Sequence, residues 1–210
     1  MTMTKRGPWT VLDQRVGYEN PWIKVAEYDV LQPDGTPGLY GVLEPKHIAV
    51  GVVPLFENGD TLLVGQHRFA LDAWSWECPE GGGSKREDPL VSAERELAEE
   101  TGYHADHYKQ ICSFDVSNSV TNETAIGFVA TGLTEGPPNR ESSEADMKLR
   151  RLPFHEAYAM AMCGEIRDGF TIVLLNAAAH LARTGGLDPI LCAAMVPDLA
   201  RKGSTDDAGR

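Results

Sequence analysis

The amino-acid sequence predicts a domain of the α/β class, in which strands and helices share one core. Residues 47–56 are rich in valine and isoleucine, as in a buried strand, and a tight turn leads from them into a partner strand at residues 61–65. A helix is predicted to begin at Pro89, since proline suits a first helical turn, and to end at Gly102. Residues 170–183 carry apolar side chains along one side and predict a second helix.

Length and composition bound the classes of protein to consider. The chain has 210 residues, 42% of them apolar, which is enough for one domain of ordinary size or one domain with an extension. Its formal net charge is −12, so we expect no binding to nucleic acid, which is a polyanion. No apolar run is long enough to predict a membrane span, and the N-terminus shows no apolar signal core. Four cysteines without metal-finger spacing indicate reduced thiols and a cytoplasmic protein.

The first 45 residues are predicted to form a small β unit of their own. Residues 22–30 alternate in places between apolar and polar, as a half-buried strand does, and a turn cluster follows at residues 32–38. A second strand then runs through residues 39–43. We therefore divide the chain into a β extension, a main domain and a tail, at residues 1–45, 46–184 and 185–210.

Further strands and helices are predicted beyond the first helix. Residues 111–116 and 124–131 read as strands, and residues 147–152 as a third. Residues 153–163 are predicted to be helical, with Pro153 in the first turn. The order of these elements keeps strands and helices mixed along the chain, as the α/β class requires.

Three glutamates of the first predicted helix are spaced to lie close together. Residues three and four positions apart share one side of a helix, so Glu96 and Glu100 project from one face with Glu99 beside them. Such carboxylates repel one another unless a cation lies among them, and hard divalent ions such as Mg²⁺ bind carboxylate oxygens. Arg95 can pair with Glu99 along the helix. Taken alone, such a run of charged residues is more often a solvated acidic helix face, and a site for Mg²⁺ or Mn²⁺ is the alternative.

The stretch from Gly81 to Tyr103 resembles the signature of the Nudix hydrolases. That signature is a glycine, five residues, a glutamate, seven residues, Arg-Glu-apolar, one residue, Glu-Glu, one residue and Gly-apolar. The matching residues are Gly81, Glu87, Arg95, Glu96, Leu97, Glu99, Glu100, Gly102 and Tyr103. Seven fixed identities are expected to match by chance on the order of once in 10⁸ positions. The resemblance implies a metal-dependent hydrolase whose fold is an α/β/α sandwich around a mixed sheet.

The flanking residues resemble one branch of that family, the ADP-ribose pyrophosphatases, which hydrolyse nucleoside diphosphate sugars. In this branch a strand ends in Gln-x-Arg, matched by Gln66 and Arg68, and a Glu-x-Pro-x-Gly leads into the signature, matched by residues 77–81. The resemblance covers about residues 18–184. Branch members usually carry a proline about sixteen residues beyond the signature, near Ser119, where this chain has none. The implied substrate is therefore ADP-ribose or another nucleotide sugar, such as GDP-mannose.

The resemblance also implies which residues hold the metal. Divalent ions are expected at Glu96 and Glu100, with Glu99 and the backbone carbonyl of Glu80 as helpers. Ions bound there would neutralise pyrophosphate oxygens and lower the pKa of an attacking water.

Substrate-binding and proton-accepting residues follow from the same resemblance. Arg68 is expected to steady the pyrophosphate, and Glu77 is expected to contribute to substrate binding. A catalytic glutamate is expected from the polar loop at residues 133–146, with Glu144 the best match and Glu141 the second choice. A mobile loop suits a general base that must close over the substrate.

The resemblance also implies an oligomeric state, and it leaves rival functions open. Branch members are usually dimers through the N-terminal unit, so we expect a homodimer. Trp22, Trp74 and Trp76 are candidates for stacking on the base, or ordinary core residues. A ligand sensor on the same fold is one rival, although such sensors often lack the carboxylates that are all present here. The second rival is an enzyme of another activity on the same fold, either a hydrolase that sanitises the nucleoside triphosphate pool or an isomerase.

Overall fold

The computed structural model describes residues 3–140 and 144–196. The chain divides into two compact units. The first comprises Met1–Ile48 and Phe114–Thr124, and the second comprises Ala49–Ser113 and Ala125–Arg210. Residues 114–124, which the sequence analysis assigned to the main domain, thus belong to the same unit as the N-terminal strands.

The first unit contains a four-stranded antiparallel sheet in the order β1-β2-β3-β4. The strands are β1 (Thr4–Arg6), β2 (Trp9–Glu19), β3 (Ile23–Leu31) and β4 (Pro37–Pro45). Alternate residues of β3 are buried, namely Ala26, Tyr28 and Val30, and they form a small apolar cluster with side chains of β2 and β4. This alternation confirms the half-buried strand predicted at residues 22–30.

The second unit is built on two sheets. One has the order β8-β5-β10-β9, in which β5 and β10 are parallel. The other has the order β11-β6-β7 and is antiparallel. The strands are β5 (His47–Pro54), β6 (Asp60–Arg68), β7 (Ala73–Glu77), β8 (Glu80–Ser84), β9 (Tyr103–Asp115), β10 (Thr124–Glu135) and β11 (Lys148–Pro153). The second unit thus contains both parallel and antiparallel strand pairs.

Four helices complete the described part of the chain: α1 (Pro89–Thr101), α2 (Phe154–Met162), α3 (Gly169–Arg183) and α4 (Pro189–Met195). Leu174 of α3 packs against two glycines, Gly51 and Gly127, on the parallel strands. A side chain at either glycine would collide with Leu174, so both positions allow the helix to approach the sheet closely. None of the described helices is long and apolar enough to cross a membrane.

Helix α1 begins and ends where the sequence predicts. The Asp88 side chain accepts a hydrogen bond from the Leu90 N–H at 3.0 Å, and Pro89 occupies the first turn. At the other end, Gly102 adopts the left-handed conformation with φ of 78°, and its N–H donates to the Ala98 carbonyl. Pro153 differs from its predicted place by one position, since it ends β11 and is the N-cap residue of α2.

Candidate active site

The inner face of α1 carries two nearly buried glutamates. Glu96 is 8% exposed and Glu100 is 1% exposed, while Glu99 lies at the edge of the same face. Arg95 donates from Nη1 to Glu99 Oε2 at 2.8 Å, which confirms the predicted pair along the helix. Its Nη2 lies 2.8 Å from Glu96 Oε1, so one guanidinium contacts both carboxylates. The helix therefore brings all three predicted glutamates together.

The loop that precedes α1 fits closely against these carboxylates. A side chain at Gly81 would collide with the carboxylate of Glu96, so only glycine leaves that group in place. Arg95 Nη2 donates to the Gly82 carbonyl at 2.9 Å and fixes the loop to the helix. The first glycine of the signature is thus explained by contact with a predicted metal ligand.

Gly81→Ala is expected to displace the Glu96 carboxylate and to weaken activation by Mg²⁺ at least about tenfold, because small displacements of a ligand cost much of the affinity. The fold should survive, since the colliding atoms are the far end of a flexible side chain. Titrating Mg²⁺ against turnover measures the effect. Gly41→Ala is the matched control, because a side chain at Gly41 meets no atom within 4 Å. Unchanged Mg²⁺ dependence in Gly81→Ala would contradict this explanation.

Glu80 connects the helix to the ends of two neighbouring strands. Its backbone N–H donates to Glu100 Oε2 at 3.1 Å. Its Oε1 lies 3.4 Å from Arg68 Nη2, at the end of β6. Among the described residues, Glu80 Oε2 is a buried side-chain oxygen without a hydrogen-bond partner. Burying a carboxylate oxygen without a partner costs free energy. This indicates that a ligand, a cation or a proton binds this oxygen.

Arg68 and Glu77 form a bidentate ion pair. Arg68 Nε donates to Glu77 Oε1 at 2.9 Å, and Nη2 bonds the second oxygen of the same carboxylate. Glu77 is only 2% exposed, and burial of such a pair is tolerated because both oxygens are satisfied. Arg68 keeps part of its side chain exposed. The two predicted substrate-binding residues therefore lie together, with the glutamate orienting the guanidinium.

Burial and neighbouring negative charges raise the pKa values of two acidic residues in this site. Burial, together with the charges of Glu144 and Glu96, raises the pKa of Glu100 to about 9. Burial also raises the pKa of Glu96, as do the charges of Glu99 and Glu144, while Arg95 lowers it. A proton on Glu100 is therefore stable at neutral pH in the absence of a cation. The residues present thus fit a divalent ion, which would compensate their charge.

The raised pKa of Glu100 predicts how the metal-free protein responds to pH. The unfolded chain releases this proton near pH 4.5, whereas the folded protein keeps it until about pH 9. Stability from this group is therefore fully present below pH 4.5 and falls as the pH rises from 4.5 to about 9, by at most about 1.4 kcal/mol per pH unit. We expect Glu100→Gln to show a smaller loss of unfolding free energy between pH 6 and 8.5, measured in chelator by denaturant titration. Parallel curves for both proteins would refute it.

Glu144 lies near this acidic group. It is half-buried in a short helical turn, and its charge raises the pKa of both Glu96 and Glu100. The second choice for the general base, Glu141, lies outside the described residues.

The sequence analysis missed Arg140, which connects the Glu144 segment to α1. Arg140 Nε donates to the Glu100 carbonyl at 2.9 Å, and Nη1 donates to the Met147 carbonyl at 2.8 Å. The Asn139 N–H also donates to the Glu99 carbonyl at 3.0 Å. An arginine alone in a polar loop gives no signal of this role, because the two carbonyls are distant in sequence from each other.

Asp168 is a second residue to which the sequence analysis assigned no chemistry. It caps α3 by accepting from the Thr171 N–H at 2.6 Å. Oxygens of Glu77, Glu80 and Asp168 all lie within 4.8 Å of one another, close enough to hold a metal ion. This group is separate from the predicted pair Glu96 and Glu100, although Glu80 is shared with the predicted site.

Comparison with known proteins places these features in a family. Residues 45–170 match the family described as NUDIX domain, and residues 9–43 match the nucleoside diphosphate sugar hydrolase N-terminal domain. A CMP-5'-(N-acetyl-N-hydroxy-3-aminopropyl)phosphonate hydrolase from Streptomyces rubellomurinus is 31% identical over 179 residues, covering 84% of this chain and 82% of the relative. An ADP-ribose pyrophosphatase from Mycobacterium tuberculosis is 33% identical over 143 residues, covering 67% and 69%.

A solved structure supports the same conclusion about the fold. The crystal structure of an ADP compounds hydrolase superposes with a TM-score of 0.77 at 16% sequence identity, covering 87% of this chain and 98% of that one. This likeness confirms the predicted α/β fold. The match to the domain model spans the acidic helix, both strand ends and Glu144. The chain belongs to the Nudix family of hydrolases, which use divalent metals.

Proposed function

We propose that this protein hydrolyses the pyrophosphate bond of a nucleoside diphosphate sugar in a divalent-metal-dependent reaction. The observation that carries the proposal is the pair Glu96 and Glu100, nearly buried on one helix face, with the charge of Glu144 acting on both. Buried carboxylates in this number are stable when a cation lies among them. The N-terminal match to nucleoside diphosphate sugar hydrolases supports the class of substrate.

Glu96 and Glu100 would hold the metal, with Glu99 and the Glu80 backbone carbonyl as helpers. A bound divalent ion would neutralise pyrophosphate oxygens and lower the pKa of the attacking water. Mg²⁺ is the ion we propose, with Mn²⁺ as an alternative, because carboxylate oxygens suit both.

The side chains of this protein supply positioning and proton transfer. Glu144 accepts a proton from the attacking water as the new P–O bond forms. The bond between that phosphorus and the bridging oxygen breaks, which releases a nucleoside monophosphate and a sugar phosphate. Arg68, held by Glu77, offers the exposed part of its guanidinium to a pyrophosphate oxygen. Arg140 keeps the segment that carries the general base Glu144 next to α1, because it binds the carbonyls of Glu100 and Met147.

A panel of substrates tests the function directly. Nucleoside diphosphate sugars and nucleoside triphosphates are incubated with Mg²⁺, and the products are separated by chromatography. ADP-ribose converted fastest to AMP and ribose phosphate supports the ADP-ribose branch. If GDP-mannose is preferred, the proposed reaction stands and the proposed sugar specificity changes. Release of pyrophosphate from a triphosphate, isomerisation, or tight binding without turnover would each replace the proposed function by a rival.

The segment without the expected proline is the first place to examine if ADP-ribose is not preferred. Within the first unit, the Tyr40 hydroxyl donates to the Ser119 carbonyl at 2.8 Å, and the Leu43 N–H donates to the Val120 carbonyl at 2.9 Å. These contacts fix the backbone of residues 117–121 against β4, where a proline in related enzymes would restrict it by other means.

We further propose a cytoplasmic homodimer without nucleic acid in its function, assembled through the N-terminal unit. The net charge of −12 supports the absence of nucleic acid. Light scattering is expected to give about twice the 22.9 kDa of one chain. A mass of one chain at micromolar concentration would reject the dimer and leave the reaction untouched.

A further inference from the structure

A cleft of about 310 Å³ lies beside the acidic helix, between the β6–β7 hairpin and the start of α3. Its lining combines an aromatic side chain, two arginines and three carboxylates: Trp74, Arg68, Arg167, Glu77, Glu80 and Asp168. All these residues belong to the second unit. No step of the hydrolysis described above uses the cleft as a whole.

The two walls of the cleft differ in chemistry. The apolar part of the hairpin wall contains Leu71 and Trp74, both exposed, the latter to 41%. The opposite wall is acidic, since carboxylate oxygens of Glu80 and Asp168 lie within 4.8 Å of each other and Glu80 Oε2 has no partner among the described residues. Carboxyl oxygens accept hydrogen bonds, so this wall suits a ligand that carries several donors.

The cleft is continuous with the proposed metal site through Glu80. The Glu80 N–H contacts Glu100 Oε2 at 3.1 Å, while its side chain lies in the cleft and 3.4 Å from Arg68. A substrate whose pyrophosphate lies at Glu96 and Glu100 therefore reaches the cleft with the group attached next to that pyrophosphate.

We propose that this cleft binds the sugar of the nucleoside diphosphate sugar, an inference that rests on the proposed function. Asp168 and Glu80 accept hydrogen bonds from sugar hydroxyls, and Trp74 packs against the apolar face of the ring. A second phosphate is disfavoured by three carboxylates. A cation is disfavoured because the guanidinium of Arg68 already lies on both oxygens of Glu77 and near Glu80.

Two substrates and two variants test the assignment. The substrates are a nucleoside diphosphate sugar and the methyl ester of the same nucleoside diphosphate, which keeps the pyrophosphate diester and lacks the sugar. Asp168→Asn keeps a side chain that can cap α3 and removes the charge. Ala70→Trp fills the cleft from its exposed hairpin wall without disturbing the core. Both are measured as kcat/KM with Mg²⁺.

The control variants change a helix cap and a hairpin side chain away from the cleft. Asp188→Asn alters the cap of α4, where Asp188 accepts from the Ile190 N–H. Phe69→Ala changes an exposed aromatic residue of the same hairpin that does not line the cleft. We expect kcat/KM for the sugar substrate to fall at least about tenfold in Asp168→Asn and Ala70→Trp, and that for the methyl ester to stay within about twofold.

The contrary outcomes are distinct. Equal losses for both substrates would overturn the inference, since the cleft would then act on the pyrophosphate, the nucleoside or a metal. Unchanged rates in both variants would overturn it as well. A wild-type enzyme that hydrolyses the methyl ester as fast as the sugar substrate rejects the sugar site and leaves the proposed reaction standing. If the wild-type enzyme hydrolyses neither substrate, the proposed function itself is rejected.

Discussion

Glu100→Gln is expected to lower metal-dependent turnover by about 10³-fold while the protein remains folded. Glu100 is almost fully buried, accepts the Glu80 N–H and lies near the charges of Glu96 and Glu144. Glutamine keeps the shape and can still accept that N–H, but it removes the charge that a divalent ion needs. Rates over a range of Mg²⁺ concentrations, together with the melting temperature, measure the two effects separately.

Glu94→Gln provides the control for this change, because Glu94 lies on the exposed side of the same helix. It should retain turnover and the rise in melting temperature that Mg²⁺ causes in the wild type. Glu100→Gln should lose that rise. A Glu100→Gln protein that turns over at near-normal rates would remove Glu100 from the metal ligands, and a protein that fails to fold would show up in the melting curve.

The parts of this molecule that local chemistry determines could be predicted from the sequence. Asp88, Pro89 and Gly102 fix the ends of α1 through contacts within a few residues, so a pattern of residues is enough to find them. The acidic face follows from helix periodicity alone, and Arg95 pairs with Glu99 as that spacing requires.

Contacts between distant segments could not be predicted in the same way. The bidentate pair of Arg68 and Glu77 depends on the register of β6 and β7, and nothing in either residue's neighbours indicates it. The role of Arg140 depends on two carbonyls 47 positions apart, at Glu100 and Met147. Asp168 reaches Glu80 only because α3 begins beside the end of β7. Such juxtapositions arise from the topology, which periodicity does not encode.

Glu144→Gln is expected to reduce kcat by about 10² to 10⁴-fold with little change in KM, because a general base acts in the transition state and not on substrate binding. The charge of Glu144 raises the pKa of Glu96 and Glu100, so its carboxylate lies near the site that these two residues form. Removing this charge also lowers the attraction of the site for Mg²⁺, and saturating Mg²⁺ compensates for that loss. Steady-state rates at saturating Mg²⁺, with substrate affinity measured separately, distinguish loss of the base from loss of the metal.

Two acidic residues in the same segment provide a control and an alternative for this prediction. Asp146→Asn changes an exposed carboxylate two residues away and should leave kcat within about twofold. Glu141→Gln tests the second choice for the base. If Glu144→Gln kept the wild-type rate while Glu141→Gln lost it, the proton acceptor would be Glu141, and Arg140 would position that residue. If both variants kept the rate, water would lose its proton to another group, and the proposed role of the segment between β10 and β11 would be wrong.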